Sequence, residues 1–208
     1  MSAVTRTISG TFTNFVILLL MLANPVLADT VPADQLIKST SQQVLKALED
    51  QKETLKKDPN HVYKLVDEII LPHLDFEKMA KLALGKNWRK ANTTQKKAFT
   101  EAFRQLLIRT YSKSLSEYTG QKIIYLPFRL KDGATRATVK TEIDQNSGFP
   151  IPIDYTLFLK KDAWKVYDIK IDGLSLVTNY RGSFAKEIRA KGISGLIKKL
   201  EDKNRQES

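Results

Sequence analysis

Alternating apolar and polar residues run through the middle of this chain, and no other feature constrains its fold as strongly. From Ile151 to Leu159 every second residue is apolar, and Ala137, Val139, Thr141 and Ile143 repeat the pattern. Short turns, including an Asp-Gly pair, divide the region into strands. The predicted strands are Lys122–Leu130, Ala134–Asp144, Ile151–Leu159 and Trp164–Ile171. They predict a four-stranded antiparallel meander with one apolar face.

Helical spacing of apolar residues precedes this meander. Asp75 is placed to cap one helix, and Asn92 and Gln95 have the spacing of a capping box at the start of the longest one. Asn60 is a further candidate cap. The predicted helices run from Pro32 to about Lys57, from Asn60 to Pro72, from Phe76 to Leu84 and from Thr93 to Tyr118.

Helical character returns after the meander. Ser175 to about Lys191 and Ile193 to Leu200 are predicted as two helices that Gly192 separates, and residues 204–208 as a frayed polar tail. Helices, a meander and helices again favour an α+β fold, with the helices packed on one face of a curved sheet.

The N-terminal segment has the order of a secretory signal peptide. Arg6 gives a positive start, Phe15–Leu22 is apolar, and small residues lead to a predicted cleavage after Ala28. The apolar stretch is much shorter than the roughly 20 residues of a spanning helix. We therefore expect residues 1–28 to be removed and residues 29–203 to form a single domain outside the cytoplasm. The sequence contains no cysteine, which excludes disulfides and a lipoprotein anchor.

The chain is strongly basic, with a formal net charge of +11 that falls to +10 without Arg6. Nucleic acid, an anionic lipid surface and an acidic protein are the partner classes that suit such a charge. Export argues against nucleic acid, and the cations are spread along the helices rather than gathered in one run. Many of them are also explained as solvated helix faces.

The sequence offers little catalytic chemistry. His61 and His73 fall on different predicted helices or their ends, so we expect no metal site. Nucleophile and phosphate-loop motifs are absent, and we expect no cofactor and no catalytic residue. Asp168 is predicted to share a face with Trp164 and Val166. There it can act as a general base in a cavity, or it can pair with a cation or cap backbone groups.

Apolar surface, in contrast, is abundant on the sheet and on several helices. It can form a filled core or line a cavity for an apolar ligand. Periodicity does not separate the two, because core and cavity walls use the same residue types.

Three stretches resemble the MlaC family of periplasmic phospholipid-binding proteins, also described as toluene-tolerance auxiliary transport components. The most specific is WKVYDIKIDGLSLVTNYRGSFAKEIRAKGISGLIKKL, from Trp164 to Leu200. TTQKKAFTEAFRQLLIRTY resembles the long helix of the family, and the region from Val66 to Leu84 also fits. The matching residues include Gln95, Phe99, Arg104, Trp164, Tyr167, Asp168, Ile169, Asn179, Tyr180, Arg181, Phe184 and Gly192.

The resemblance implies an NTF2-like cone around a deep apolar cavity. It also implies a periplasmic carrier, with phospholipid as cargo rather than a cofactor, moving between the outer-membrane lipoprotein MlaA and an inner-membrane ABC transporter. The expected effect is to maintain outer-membrane lipid asymmetry. We expect the carrier to be a monomer.

Apolar residues of the sheet and of the helices that are predicted to face the same interior are the candidates for contact with the lipid tails. The predicted lipid-binding residues are Phe103, Leu107, Tyr111, Val139, Ile143, Ile153, Tyr155, Leu157, Ile169 and Val177. Two other functions stay open. One is an isomerase or dehydratase on the same cone with Asp168 as base, and the other is a chaperone-like module that presents an apolar groove.

Overall fold

The structure, a computed structural model, describes residues 30–145 and 148–206. The predicted signal peptide therefore lies outside the described residues. Within these ranges, no helix combines the length and the apolar character that crossing a bilayer requires.

Helices form the first half of the described chain, as predicted, but with more breaks. The segment predicted to run to Lys57 bends at Gln51, where φ is −107° and ψ is 17°. Asn60 precedes a helix but makes no side-chain capping bond. The helices are α1 (Ala33–Asp50), α2 (Lys52–Lys57), α3 (His61–Leu65), α4 (Phe76–Leu84) and α5 (Thr93–Ser116). A π-helical turn (Val66–Ile70) and 3-10 turns (Leu71–His73, Gly85–Arg89) connect them.

Two predicted helix caps are present. The Asp75 carboxylate accepts a hydrogen bond of 2.8 Å from the Lys78 amide at the start of α4. Asn92 and Gln95 form the reciprocal capping box, with bonds of 3.1 and 2.8 Å between their side chains and amides. These caps position α4 and α5 where the sequence predicts them.

The sheet has five antiparallel strands in the order β1-β2-β3-β4-β5. The α+β prediction is confirmed, with one more short strand than expected. The first strand is shorter than the predicted Lys122–Leu130. The strands are β1 (Lys122–Tyr125), β2 (Arg136–Asp144), β3 (Ile151–Lys160), β4 (Ala163–Ile171) and β5 (Leu174–Ser175).

A β-bulge in β4 changes which residues share a face. Leu157 pairs with Val166, but the preceding Thr156 pairs with Asp168, so Tyr167 is the extra residue. Since paired residues point to the same side of a sheet, Val166 and Asp168 lie on opposite faces. The prediction that Asp168 shares a face with Trp164 and Val166 is therefore wrong.

The C-terminal region begins later and extends further than predicted. Leu174–Ser175 is a strand, and a 3-10 turn (Thr178–Tyr180) precedes α6 (Arg181–Gln206). Gly192 has φ 70° and ψ 178°, a conformation that favours glycine, and bends α6 as predicted. The predicted tail at 204–208 is helical through Gln206, because the buried Asn204 amide donates to the Ala102 carbonyl at 2.9 Å.

Among the described residues, buried apolar side chains form three clusters, of which two are large. The helical cluster joins α4, α5 and α6 and includes Phe99, Phe103 and Phe184. The sheet cluster joins the start of α1 to the strands and includes Ile37, Val139, Leu157 and Trp164. The helices do not all pack on one face, because Lys78 of α4 lies over the ring of Phe158, 3.3 Å from its centroid, and Phe158 points away from Leu157.

Asp75 connects α4 to the sheet, and its removal should destabilise the protein. Its carboxylate also contacts Lys160 Nζ at 2.6 Å, and its amide donates to the Val166 carbonyl at 2.9 Å. We expect Asp75→Ala to lower the free energy of unfolding by about 1–3 kcal/mol in urea titrations. Asp75→Asn is the control, because it keeps a capping oxygen and should cost less.

The pH dependence of that loss provides a second check. Burial opposes ionisation of Asp75, but the bonds from Lys160 and the Lys78 amide outweigh it and hold the pKa below its usual 3.8. A depressed carboxyl pKa stabilises the fold above the unfolded value, and the stabilisation is lost as pH falls through the folded value. The difference between wild type and Asp75→Asn should therefore shrink below pH 3.8. A constant difference would contradict the role of the charge.

Candidate functional site

An apolar cavity of about 570 Å³ lies between α1, the end of α5 and the sheet. Its volume is within the roughly 300–1,000 Å³ typical of small-molecule sites. The apolar lining residues are Leu36, Ile37, Val44, Leu45, Leu48, Ile70, Leu74, Leu115, Ile123, Ile143, Ile151, Ile153, Val166, Ile169 and Ile171. The sequence prediction of an apolar cavity thus has a counterpart in the fold.

Helix α1 forms one wall through residues at helical spacing. Ile37, Ser41, Val44 and Leu48 recur every three or four positions and so lie along one stripe. The Ser41 hydroxyl donates to the Ile37 carbonyl at 2.6 Å, so it is satisfied within the helix. This stripe presents an almost continuous apolar surface to the cavity.

The sheet forms the facing wall, and the bulge in β4 shapes it. Both Val166 and Ile169 line the cavity, although an odd number of positions separates them. An unbulged strand would turn one of the two away from the cavity. The bulge therefore extends the apolar wall along β4 from Val166 to Ile171.

The two ends of the cavity differ in polarity. Near Ile37 and Val166 it meets the packed sheet cluster. At the other end, α5 has finished, β1 begins and β2 ends, and the wall contains Glu117, Gln121 and Gln145. Such a site accommodates an elongated apolar group with a polar terminus.

Tyr155 and His73 are two of the titratable side chains in the wall. Burial raises the pKa of the Tyr155 hydroxyl. Burial, with a smaller contribution from the nearby Lys165 charge, lowers the pKa of His73 below its usual 6.5. Both shifts favour the neutral form, so these two side chains add no charge to the cavity at neutral pH.

The predicted lipid-binding residues divide into three groups. Ile143, Ile153, Tyr155 and Ile169 line the cavity together. Val139 and Leu157 lie in the packed sheet cluster. Phe103, Leu107, Tyr111 and Val177 lie in or against the helical cluster, away from the cavity lining. The structure therefore brings four of the predicted sheet residues to the cavity, and places the predicted helix residues in another core.

The helix wall of the cavity was not predicted. It comes from α1 and from Leu115 and Tyr118 at the end of α5. The apolar spacing of α1 is visible in the sequence, but that spacing does not say which sheet face the helix covers.

The Asp168 carboxylate is part of a hydrogen-bond network. The side chain is 8% exposed, and its Oδ1 accepts a bond of 2.7 Å from the Ser175 hydroxyl. The Ser175 oxygen in turn accepts from the Val177 and Thr178 amides at 3.2 and 2.9 Å. Asp168 does not line the cavity. Asp168 thus supports the turn after β5 through the Ser175 hydroxyl, whereas the structural alternative predicted a cation or a backbone group as its partner.

The two histidines occupy separate surroundings. His61 Nε2 contacts Gln51 Oε1, whereas His73 lines the cavity. Within residues 30–145 and 148–206, no group of three or more acidic or histidine side chains is arranged to hold a metal ion.

Fold and cavity together define the class of this protein: an α+β domain built around an elongated apolar cavity with one polar end. The MlaC family model, described as MlaC protein, matches residues 38–202. The chain belongs to the MlaC family.

Individual relatives span most of the chain. The toluene tolerance protein ttg2D of Pseudomonas putida is 31% identical over 179 residues, covering 85% of this chain and 82% of its own. The intermembrane phospholipid transport system binding protein MlaC of Haemophilus influenzae is 23% identical over 194 residues, covering 92% and 90%.

A solved structure is also similar. The phospholipid-binding protein from Ralstonia solanacearum, in complex with a phospholipid, superposes with a TM-score of 0.77 at 32% identity. The match covers 84% of this chain and 98% of that one. A relative with the same fold thus holds a phospholipid.

Proposed function

We propose that this protein is a phospholipid carrier that encloses acyl chains in the cavity between α1 and the sheet. The observation that carries the proposal is the 570 Å³ apolar cavity with polar side chains at one end. The similarity to a phospholipid-binding protein and to a protein of an intermembrane transport system supports the same cargo.

The energetics of lipid transfer explain why a carrier needs such a cavity. Acyl chains in water expose methylenes at a cost of about 0.8 kcal/mol each. Two long chains therefore face a barrier on the order of 20 kcal/mol. Burying the chains against Ile153, Ile169 and the α1 stripe lowers this barrier, while the polar end leaves the headgroup near water. No covalent chemistry is required.

The proposal extends to the place of action. The predicted signal peptide favours export, and we propose that the carrier works in the periplasm. There it would exchange lipid with an outer-membrane MlaA-type lipoprotein complex and an inner-membrane Mla-type ABC transporter, and so maintain outer-membrane lipid asymmetry. The basic charge of the chain suits anionic lipid headgroups or acidic docking surfaces.

Extraction of the purified protein with organic solvent, followed by mass spectrometry, tests this function. We expect diacyl phospholipid in about stoichiometric amount. A lipid-free protein that turns over a small ketone would instead indicate an enzyme. Bound unfolded polypeptide without lipid would indicate a chaperone-like module. Either result would overturn the carrier proposal.

A further inference from the structure

A second, smaller pocket of about 170 Å³ adjoins the main cavity. Leu48, Leu115 and Tyr118 line both of them, so these three side chains form a shared wall. The remaining residues around the smaller pocket are Lys52, Leu55 and Lys56. Two cationic side chains thus lie just beyond the end of the apolar cavity that carries Glu117 and Gln121.

The chain bends between α1 and α2 beside this pocket. The chain leaves α1 at Gln51 and restarts as α2 at Lys52. Lys52 and Lys56 are four positions apart, and residues at that spacing share one face of a helix. A continuous helix was predicted here, and it would have kept the direction of α1 through this region.

Lys56 already has a carboxylate partner. Its Nζ lies 2.6 Å from Glu53 Oε1, and the two side chains are 60% and 76% exposed. Exposed pairs of this kind contribute little to stability, so a competing anion can replace Glu53 at low cost. The contact with Glu53 therefore leaves Lys56 available to a stronger acceptor.

We infer that Lys52 and Lys56 bind a phosphate group in the smaller pocket, at the end of the apolar cavity. The inference rests on the proposed carrier function for its main ligand, the phosphodiester of a lipid whose chains fill the cavity. Inorganic phosphate presents the same chemistry and is the other possible source.

Size and chemistry both fit a phosphate. At roughly 30 Å³ per water-sized group, the pocket has room for a phosphate and one or two waters. Each ammonium offers three donors, and a charge-assisted bond to a phosphate oxygen is stronger than a neutral one. The apolar shared wall lets a chain continue from the cavity directly to the headgroup.

The double variant Lys52→Gln/Lys56→Gln tests this site, because glutamine keeps helix propensity and removes both charges. Lipid-free protein is incubated with equimolar dioleoylphosphatidylglycerol and dioleoylglycerol in detergent micelles, re-isolated and extracted. The two lipids share their chains and differ in the phosphate headgroup. Lys97→Gln/Lys198→Gln removes the same charge from exposed positions outside both pockets.

We expect wild type to retain more dioleoylphosphatidylglycerol than dioleoylglycerol. In the Lys52/Lys56 variant the ratio of the two lipids should fall roughly fivefold, which is the effect of losing one or two exposed charge contacts. The Lys52/Lys56 variant should retain as much dioleoylglycerol as wild type, and the Lys97/Lys198 control should keep the wild-type ratio of the two lipids. An equal loss in the control would show a general charge effect and overturn the site.

Titration of the lipid-free protein with inorganic phosphate, followed by NMR, distinguishes a site for the lipid phosphodiester from a site for free phosphate. Shifts at Lys52 and Lys56 that the double variant abolishes, together with an unchanged lipid preference, would assign the site to free phosphate. If neither experiment depends on the two lysines, the inference is wrong. If wild type retains neither lipid, the carrier function fails, and the phosphate titration still decides the site.

Discussion

Replacement of Phe103 by alanine is expected to lower the free energy of unfolding by about 3–5 kcal/mol, as for other large-to-small changes in a packed core. Phe103 is 0% exposed. Its ring stacks on Phe99 and meets Phe184 and Tyr180 edge to face, each at 5.6 Å between centroids. The cavity left by truncation has rigid aromatic walls and will collapse poorly. Urea unfolding monitored by circular dichroism measures the loss.

The lipid content of the folded fraction tests whether Phe103 belongs to the packed core or to the lipid-binding site. Since the side chain lies outside the cavity lining, folded Phe103→Ala should retain phospholipid at wild-type stoichiometry. Phe103→Leu, which leaves a smaller void, should cost less stability. Loss of lipid without loss of stability would show that Phe103 belongs to the binding site, as predicted from the sequence.

Ile169→Trp is expected to produce the opposite result: at least a tenfold loss of bound phospholipid with little change in stability. Ile169 lies in the sheet wall of the cavity, where it pairs with Tyr155 of the neighbouring strand. The larger indole would occupy space that acyl chains need. Displacing two methylenes costs about 1.6 kcal/mol, which already exceeds a factor of ten in affinity. Quantitative mass spectrometry of the extracted lipid gives the change.

Lys170→Trp is the matched control for this substitution. Lys170 is the next residue on β4, is exposed and lies outside the cavity lining. Its replacement should leave the lipid content unchanged. Ile153→Trp provides an independent repeat from β3. Wild-type lipid content in both isoleucine variants would place the acyl chains elsewhere.

The contrast between Phe103 and Ile169 shows which of the predicted residues the fold brings to the cavity and which it places in a packed core. Both residues are apolar and both lie on predicted core faces. The strand pattern identified the wall formed by Ile143, Ile153 and Ile169, because alternation states which residues share a face. The predicted helix residues lie in the helical cluster instead of the cavity lining, since helical periodicity identifies an apolar stripe but not the surface that the stripe covers.

Most of the fold could be predicted because its signals are local. Capping residues, turn residues and the two hydrophobic periods depend on neighbours in the sequence, and Asp75, Asn92 and Gly192 act where they were expected to act. The two-residue strand β5 was missed because it has no period of its own. It exists through its pairing with Lys170 and Ile171.

The sequence alone determined the α+β class, the antiparallel meander, the long helix and the resemblance to a family, since each depends on residue type and spacing. Tertiary structure decided whether apolar residues fill space or enclose it. The bulge at Tyr167 removes Asp168 from the face of Val166, and α2, which follows the bend at Gln51, lines the smaller pocket. The cavity and the pocket are both enclosed by segments that are distant in the sequence, and periodicity along one segment contains no information about contacts between such segments.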